Sequence, residues 1–156
     1  MLRIRILAIG KDKDRWISEG CDHYLKLLSR YAKIDLDIIP SPKTSSSLTA
    51  DKIKALEADR LEKKLGSDFL IALHDQGKQF DSMSFARQIE RLQVESNGKI
   101  DLIIGGAFGI DQRILSRAKL VWSLSALTFS HQLVRLVILE QLYRAFSILR
   151  GTAYHK

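Results

Sequence analysis

An α/β fold with a mainly parallel sheet and helices on both faces is what this chain predicts, on three observations. Strand-like and helix-like periods alternate from end to end. Two segments, Asp68 to Leu73 and Ile100 to Ile104, are almost wholly apolar, as strands covered by helices on both sides are. A glycine-rich turn, Gly105 Gly106 Ala107 Phe108 Gly109, follows the second of them directly.

In chain order, Leu2 to Ile9 alternates apolar residues against Arg3 and Arg5 and stops at Gly10, a first strand. Arg15 to Arg30 carries Trp16, Ile17, Tyr24, Leu25, Leu27 and Leu28 at helical spacing. Ile34 to Ile39 returns to strand, and Pro40 and Pro42 end it before a Ser/Thr/Lys-rich loop through Ser47. Thr49 is placed to cap a charged helix, Ala50 to Leu65, whose inward stripe reads Ile53, Leu56, Leu61 and Leu65 and whose charges read as a solvated face. The strand Asp68 to Leu73 then meets a turn, His74 to Lys78. Phe85 to Val94 is a further amphipathic helix, Ile100 to Ile104 a fourth strand, Asp111 caps a short helix to Arg117, and Leu120 to Leu124 is the fifth strand.

The last helix, His131 to Leu149, differs. It leaves almost no polar face, so both sides need cover, and a second copy of the chain, making a symmetric homodimer, is the economical source; an unusually deep core helix is the other account. With no repeat or linker, residues 1–156 read as a single domain.

The formal net charge is +7 and the pI about 9.6, which favours a polyanionic partner, nucleic acid first, although many cytosolic domains are mildly basic for no such reason. A single cysteine, Cys21, excludes an internal disulfide, and no Cys/His spacing makes a zinc site, so no metal is expected. Arginines interrupt the apolar N-terminus and no segment approaches the roughly eighteen apolar residues of a membrane span, so the chain reads as cytoplasmic, with no membrane partner.

In a parallel sheet the strand ends at Leu73, Ile104 and Leu124 share one carboxyl edge, where open α/β folds bind ligands. His74, Gly105, Ser123, Ser125, Thr128 and His131 gather there, small groups and backbone amides suited to an adenosine-like ligand. The glycine turn is neither a dinucleotide fingerprint nor a phosphate-cradling loop, and there is no G-x-S-x-G elbow. Glu140 and Arg144 have helix-pair spacing; Arg135 and Arg150 have no such partner and, with Tyr154 and His155, read as an RNA-facing rim. His155, next to last in the chain, is either a frayed tail or a proton-transfer group.

Gly105, Gly106 and Gly109, the run Trp122 to Phe129, His131, Arg135, Glu140 to Ala145 and the ending Ala153 Tyr154 His155 Lys156 resemble, over the full length, the bacterial ribosomal RNA large-subunit methyltransferase H family. The resemblance implies a SPOUT-class fold with a C-terminal trefoil knot and a homodimer. It implies an S-adenosylmethionine-dependent enzyme that methylates N3 of a pseudouridine in helix 69 of 23S rRNA on assembled ribosomes. Carried over, the cofactor would be held by Leu73, Gly105 and Leu124, Ser125, Ala126, Leu127, Thr128 and Phe129. Many members read Pro-His-Pro where this chain has Ser130 His131 Gln132, and Ala107 and Phe108 also depart from the family's glycine turn.

On that basis His155, helped by Tyr154, is expected beside the target base with Arg144 or Arg150 supplying positive charge, and Arg135, Arg150 and Lys156 are expected to contact RNA. The tail would reach the cofactor site of the other subunit. Two rivals share some of these features: a ribosome-binding factor without catalysis, which leaves the small residues at three strand ends unexplained, and a flavodoxin-like nucleotide or flavin protein, which shares the architecture.

Overall fold

The structure is a computed structural model that describes residues 1–11, 14–43, 45–66 and 69–156. Ten elements follow one another: β1 Leu2–Ile9, α1 Arg15–Leu28, β2 Ala32–Ile39, α2 Ala50–Glu62, β3 Phe69–Lys78, α3 Ser82–Glu95, β4 Lys99–Ile104, α4 Gln112–Arg117, β5 Leu120–Trp122 and α5 His131–Leu149. The strands form one sheet in the order β2-β1-β4-β3-β5, and every pairing is parallel. Their carboxyl ends therefore share an edge, as expected.

Strand alternation divides the core. Leu2, Ile4, Ile6 and Ala8 of β1 face α1, α3 and α5, whereas Leu7 and Ile9 face α2 and α4. Both faces of the sheet are covered. α5 packs between α1 and α3, burying Ile138, Leu139, Leu142, Ala145 and Phe146. These two helices take up much of the apolar circumference that the sequence pattern assigns to a second copy. Among the described residues no helix is long and apolar enough to cross a membrane.

Several boundaries differ from the sequence reading. β3 does not turn at His74; it continues to Lys78, with a register irregularity against β5 between Leu73 and Lys78. Its expected first residue, Asp68, lies outside the described residues. α3 starts at Ser82 rather than Phe85 because the Asp81 carboxylate accepts the Ser84 amide at 2.6 Å. β5 stops at Trp122 instead of Leu124, after which the Ser123 amide donates to the Lys78 carbonyl at 3.0 Å. α2 ends at Glu62, and its inward face carries Glu57 where Leu56 is expected; Leu56 is exposed. The predicted caps hold: Thr49 accepts the Lys52 amide and Asp111 the Arg113 amide.

The continuation of β3 depends on Gly77. A Cβ built there would lie 2.7 Å from the Trp122 carbonyl carbon and from the Val121 oxygen, backbone atoms with no freedom to move aside. Gly77→Ala should therefore pry β3 from β5 and lower the unfolding free energy by about 1–3 kcal/mol, measured by urea titration. An unchanged midpoint would show that the two strands yield without cost.

Candidate active site

A cavity of about 370 Å³ opens at the carboxyl edge of β4, β3 and β5. Leu73, Gly105, Leu124, Ser125, Leu127, Thr128 and Phe129 line it; Ala126, from the same run, is not among the lining residues. One wall is the glycine turn, closed by the Gly109 amide donating to the Gly106 carbonyl at 3.1 Å. A Cβ at Gly105 would come within 2.9 Å of the Gly109 backbone, so only glycine lets the turn fold this closely.

The opposite wall is the segment from Ser123 to Ser130, and its small polar residues have local work. The Ser123 hydroxyl donates to the Ser125 carbonyl at 3.1 Å, and the Ser125 hydroxyl accepts the Leu127 amide at 3.0 Å. These bonds fold the segment over the cavity and leave Leu127, 73% exposed, at the mouth. His74, at the cavity's edge, accepts the Gln76 amide on Nδ1 at 3.1 Å. The Ser130 hydroxyl then caps α5 by accepting the Leu133 amide.

α5 starts at the cavity, which His131 and Val134 also line. One residue further, the expectation of an RNA-facing arginine needs correction. Arg135 is 1% exposed, and its guanidinium donates to the carbonyls of Ile9 and Lys11 at 3.3 and 3.2 Å. It fastens the first turn of α5 to the end of β1 and presents nothing to solvent. A helix arginine without a carboxylate at i±4 reads as free in sequence because backbone acceptors leave no side-chain pattern.

The other end of α5 carries a polar network. Arg144 donates to Glu140 Oε1 from Nη2 at 2.6 Å and from Nε at 3.1 Å, and Gln141 donates to Oε2 at 2.6 Å. The Tyr154 hydroxyl donates to Glu140 Oε1 at 3.1 Å and lies 3.2 Å from the Tyr24 hydroxyl of α1. Its ring sits edge-on to Tyr143 and under the Arg144 guanidinium. Burial, then the hydrogen bond with Tyr24 and the charge of Glu140, pushes the Tyr154 phenol well up from its ordinary value, so it stays protonated.

His155 Nδ1 lies 3.4 Å from Arg144 Nη1. A guanidinium only donates, so Nδ1 is the acceptor of this contact. The tail is thus held rather than frayed, with the Thr152 amide donating to the Ser147 carbonyl at 2.9 Å. Arg150 and Lys156 are exposed at this end. The tail residues and the cavity do not meet within the chain: His131 and Arg144 are about 20 Å apart along the helix.

Two contributors escape a sequence reading. Tyr24 looks like part of an amphipathic helix, and only the fold brings it to Tyr154. Glu57 lies beneath the glycine turn, where its spacing with Ile53 and Leu61, i±4, was the available signal.

A parallel α/β sheet with a cavity under the chain that returns over its carboxyl edge is an architecture that several classes share, and comparison with known families identifies this one as a SPOUT methyltransferase. The chain belongs to that family: the family model described as "Predicted SPOUT methyltransferase" matches residues 2–155. At closer range, it is 42% identical to the Ribosomal RNA large subunit methyltransferase H of Streptococcus suis (strain 05ZYH33), covering 99% of this chain and 100% of that one. The protein of the same name from Acetivibrio thermocellus is 39% identical with the same coverage. The crystal structure of a probable methyltransferase from Bordetella pertussis Tohama I matches the fold with a TM-score of 0.57, at 14% identity, over 92% of this chain and 94% of that one.

If Arg135 is a structural clamp, Arg135→Leu should lower the unfolding free energy by about 2–3 kcal/mol, because two carbonyls at the sheet end lose their donor. Chemical denaturation reads this directly; wild-type stability would refute the clamp.

Proposed function

We propose that residues 1–156 act as one cytoplasmic methyltransferase domain. The enzyme transfers the methyl group of S-adenosylmethionine to N3 of a pseudouridine in helix 69 of 23S rRNA, on assembled ribosomes and as a homodimer. The relatives named for ribosomal RNA large-subunit methylation support the substrate class, and the formal charge of +7 suits it. The observation that carries the composite site is the separation of the two ends of α5: the cavity lies at one and Tyr154 and His155 at the other. Antiparallel pairing about a two-fold axis lays the tail of one subunit beside the cavity of its partner.

The cavity fits S-adenosylmethionine by size, by its small and apolar lining, and by the close turn at Gly105, where any side chain would push on Ile110 and Gly109 and deform the wall. Leu73, Gly105 and the segment from Leu124 to Phe129 would hold it. When bound, the cofactor supplies an electrophilic sulfonium methyl. The remaining work belongs to the chain. The folded segment shields the cavity from water and fixes the angle of approach. His155 takes the N3 proton, and because Nδ1 accepts from Arg144, it is freed when Arg144 turns toward a carbonyl of the base and stabilises the charge there. Tyr154 keeps its proton and orients Glu140, Arg144 and the tail. Arg150 and Lys156 contact the RNA backbone; Arg135 is omitted from that set because it is buried.

The return of the chain from β5 across the ends of β3 and β4 to α5 is the path a C-terminal trefoil knot follows, and we read it as one.

The test is labelled methyl transfer to assembled ribosomes, free large subunits and naked rRNA, followed by location of the modified nucleotide. Transfer to assembled ribosomes at the named position is expected, and transfer to none of the three overturns the reading. Deleting Tyr154 to Lys156 should lower turnover by about 10³-fold or more with cofactor affinity within about threefold of wild type. Gly105→Val should raise the cofactor Kd by about tenfold or more in calorimetry. Assayed at cofactor too dilute to fill the Gly105→Val cavity, each variant alone should be nearly silent and mixed dimers of the two should regain activity, since one cavity then meets one intact tail; no recovery would reject the composite site.

A further inference from the structure

The turn that walls the cavity rests on a buried carboxylate that lies outside the cavity. Glu57 is 4% exposed in mid-α2, in line with Ile53 and Leu61, on the side of the helix that packs against the sheet. For stability alone an apolar residue would serve better there, because a carboxylate loses hydration on burial and needs compensating donors. The Gly106 backbone lies against this carboxylate, and its amide favours the charged form. The fit is close: a Cβ built on Gly106 would stand 2.5 Å from Glu57 Oε1, and its three nearest atoms all belong to that carboxylate.

Gly106 follows Gly105 directly and is bridged to Gly109 across the turn. Fixing the Gly106 amide from beneath therefore fixes the peptide plane between Gly105 and Gly106, which forms the cavity wall. We propose that Glu57 is a positioning residue of this pocket: it holds the Gly105 to Gly109 turn in the conformation that receives S-adenosylmethionine. Glu57 does not line the cavity and acts through the turn. Burial raises its carboxyl above the ordinary range, and the Gly106 amide and the charge of Arg60 oppose that rise in part. The inference rests on the reading of the cavity as the cofactor site.

The experiment is calorimetry with S-adenosylmethionine and S-adenosylhomocysteine on the full chain, with circular dichroism to verify folding. Wild type must bind first; if it does not, the pocket reading fails rather than the role of Glu57. Glu57→Gln keeps an acceptor oxygen and should bind within about threefold of wild type, whereas Glu57→Ala should bind about tenfold or more weakly. In turnover assays Glu57→Ala should raise KM for the cofactor with kcat at saturation within about twofold of wild type. Gly106→Ala should weaken binding in the wild-type background and have much less effect when Glu57 is already alanine, because the clash is with that carboxylate. Wild-type affinity in Glu57→Ala overturns the proposal. So does equal loss in Gln and Ala, or strict additivity of the Gly106 and Glu57 substitutions.

Discussion

Arg135 bonded to the carbonyls of Ile9 and Lys11 is the contact on which the arrangement of the active end depends. The chain leaves β5 at one edge of the sheet, and α5 begins near the end of β1, so the intervening segment must cross the carboxyl ends of β3 and β4. Connections seldom run back over strands that are already joined, because little holds them there. Here a guanidinium anchors the far end and the hydroxyls of Ser123, Ser125 and Ser130 shape the path. The cavity is the space left under that crossing. Burying an unpaired guanidinium would cost several kcal/mol, and its bonds to backbone carbonyls offset that cost while fixing where α5 starts.

Glu57 plays the corresponding part on the other face of the sheet. Both residues put a charge where packing alone would favour an apolar side chain, and both meet backbone groups of a distant segment. Side chains that hold backbone define loop conformation more narrowly than side chains that hold one another, since the main chain has fewer ways to relax. Asp101 is a contrasting case. Also 1% exposed, it takes a two-pronged bond from Arg5 on the neighbouring strand and ties β4 to β1 without touching the cavity.

Sequence patterns were legible where a local rule decides the outcome. The apolar strands, the caps at Thr49 and Asp111, the span of α5 and the cluster of strand ends around Leu73 and Gly105 follow from periodicity, hydroxyl or carboxylate chemistry and glycine. They were illegible where a distant backbone decides it. The polar stretch after Leu73 looks like a turn, yet it pairs as strand because Gly77 lets Trp122 approach. Hydropathy favours Leu56 over Glu57 for the inside of α2, yet the helix buries Glu57 beside Ile53 and Leu61, against the Gly106 backbone. Arg135 fails in the same way: its acceptors are carbonyls more than a hundred residues earlier in the chain.

α5 therefore has two differently furnished ends and a middle that α1 and α3 largely cover. The apolarity of the helix alone is weak support for a second subunit, because much of it is satisfied within the chain. The stronger reason is geometric. A proton-holding phenol, a histidine and an arginine are built into one network with Glu140, about 20 Å of helix away from the cavity whose chemistry they suit. A rigid helix cannot fold its own tail back to its own N-terminus. If those groups serve the cavity, a second copy running the opposite way must bring them, and methyl transfer then requires the dimer for a reason independent of stability.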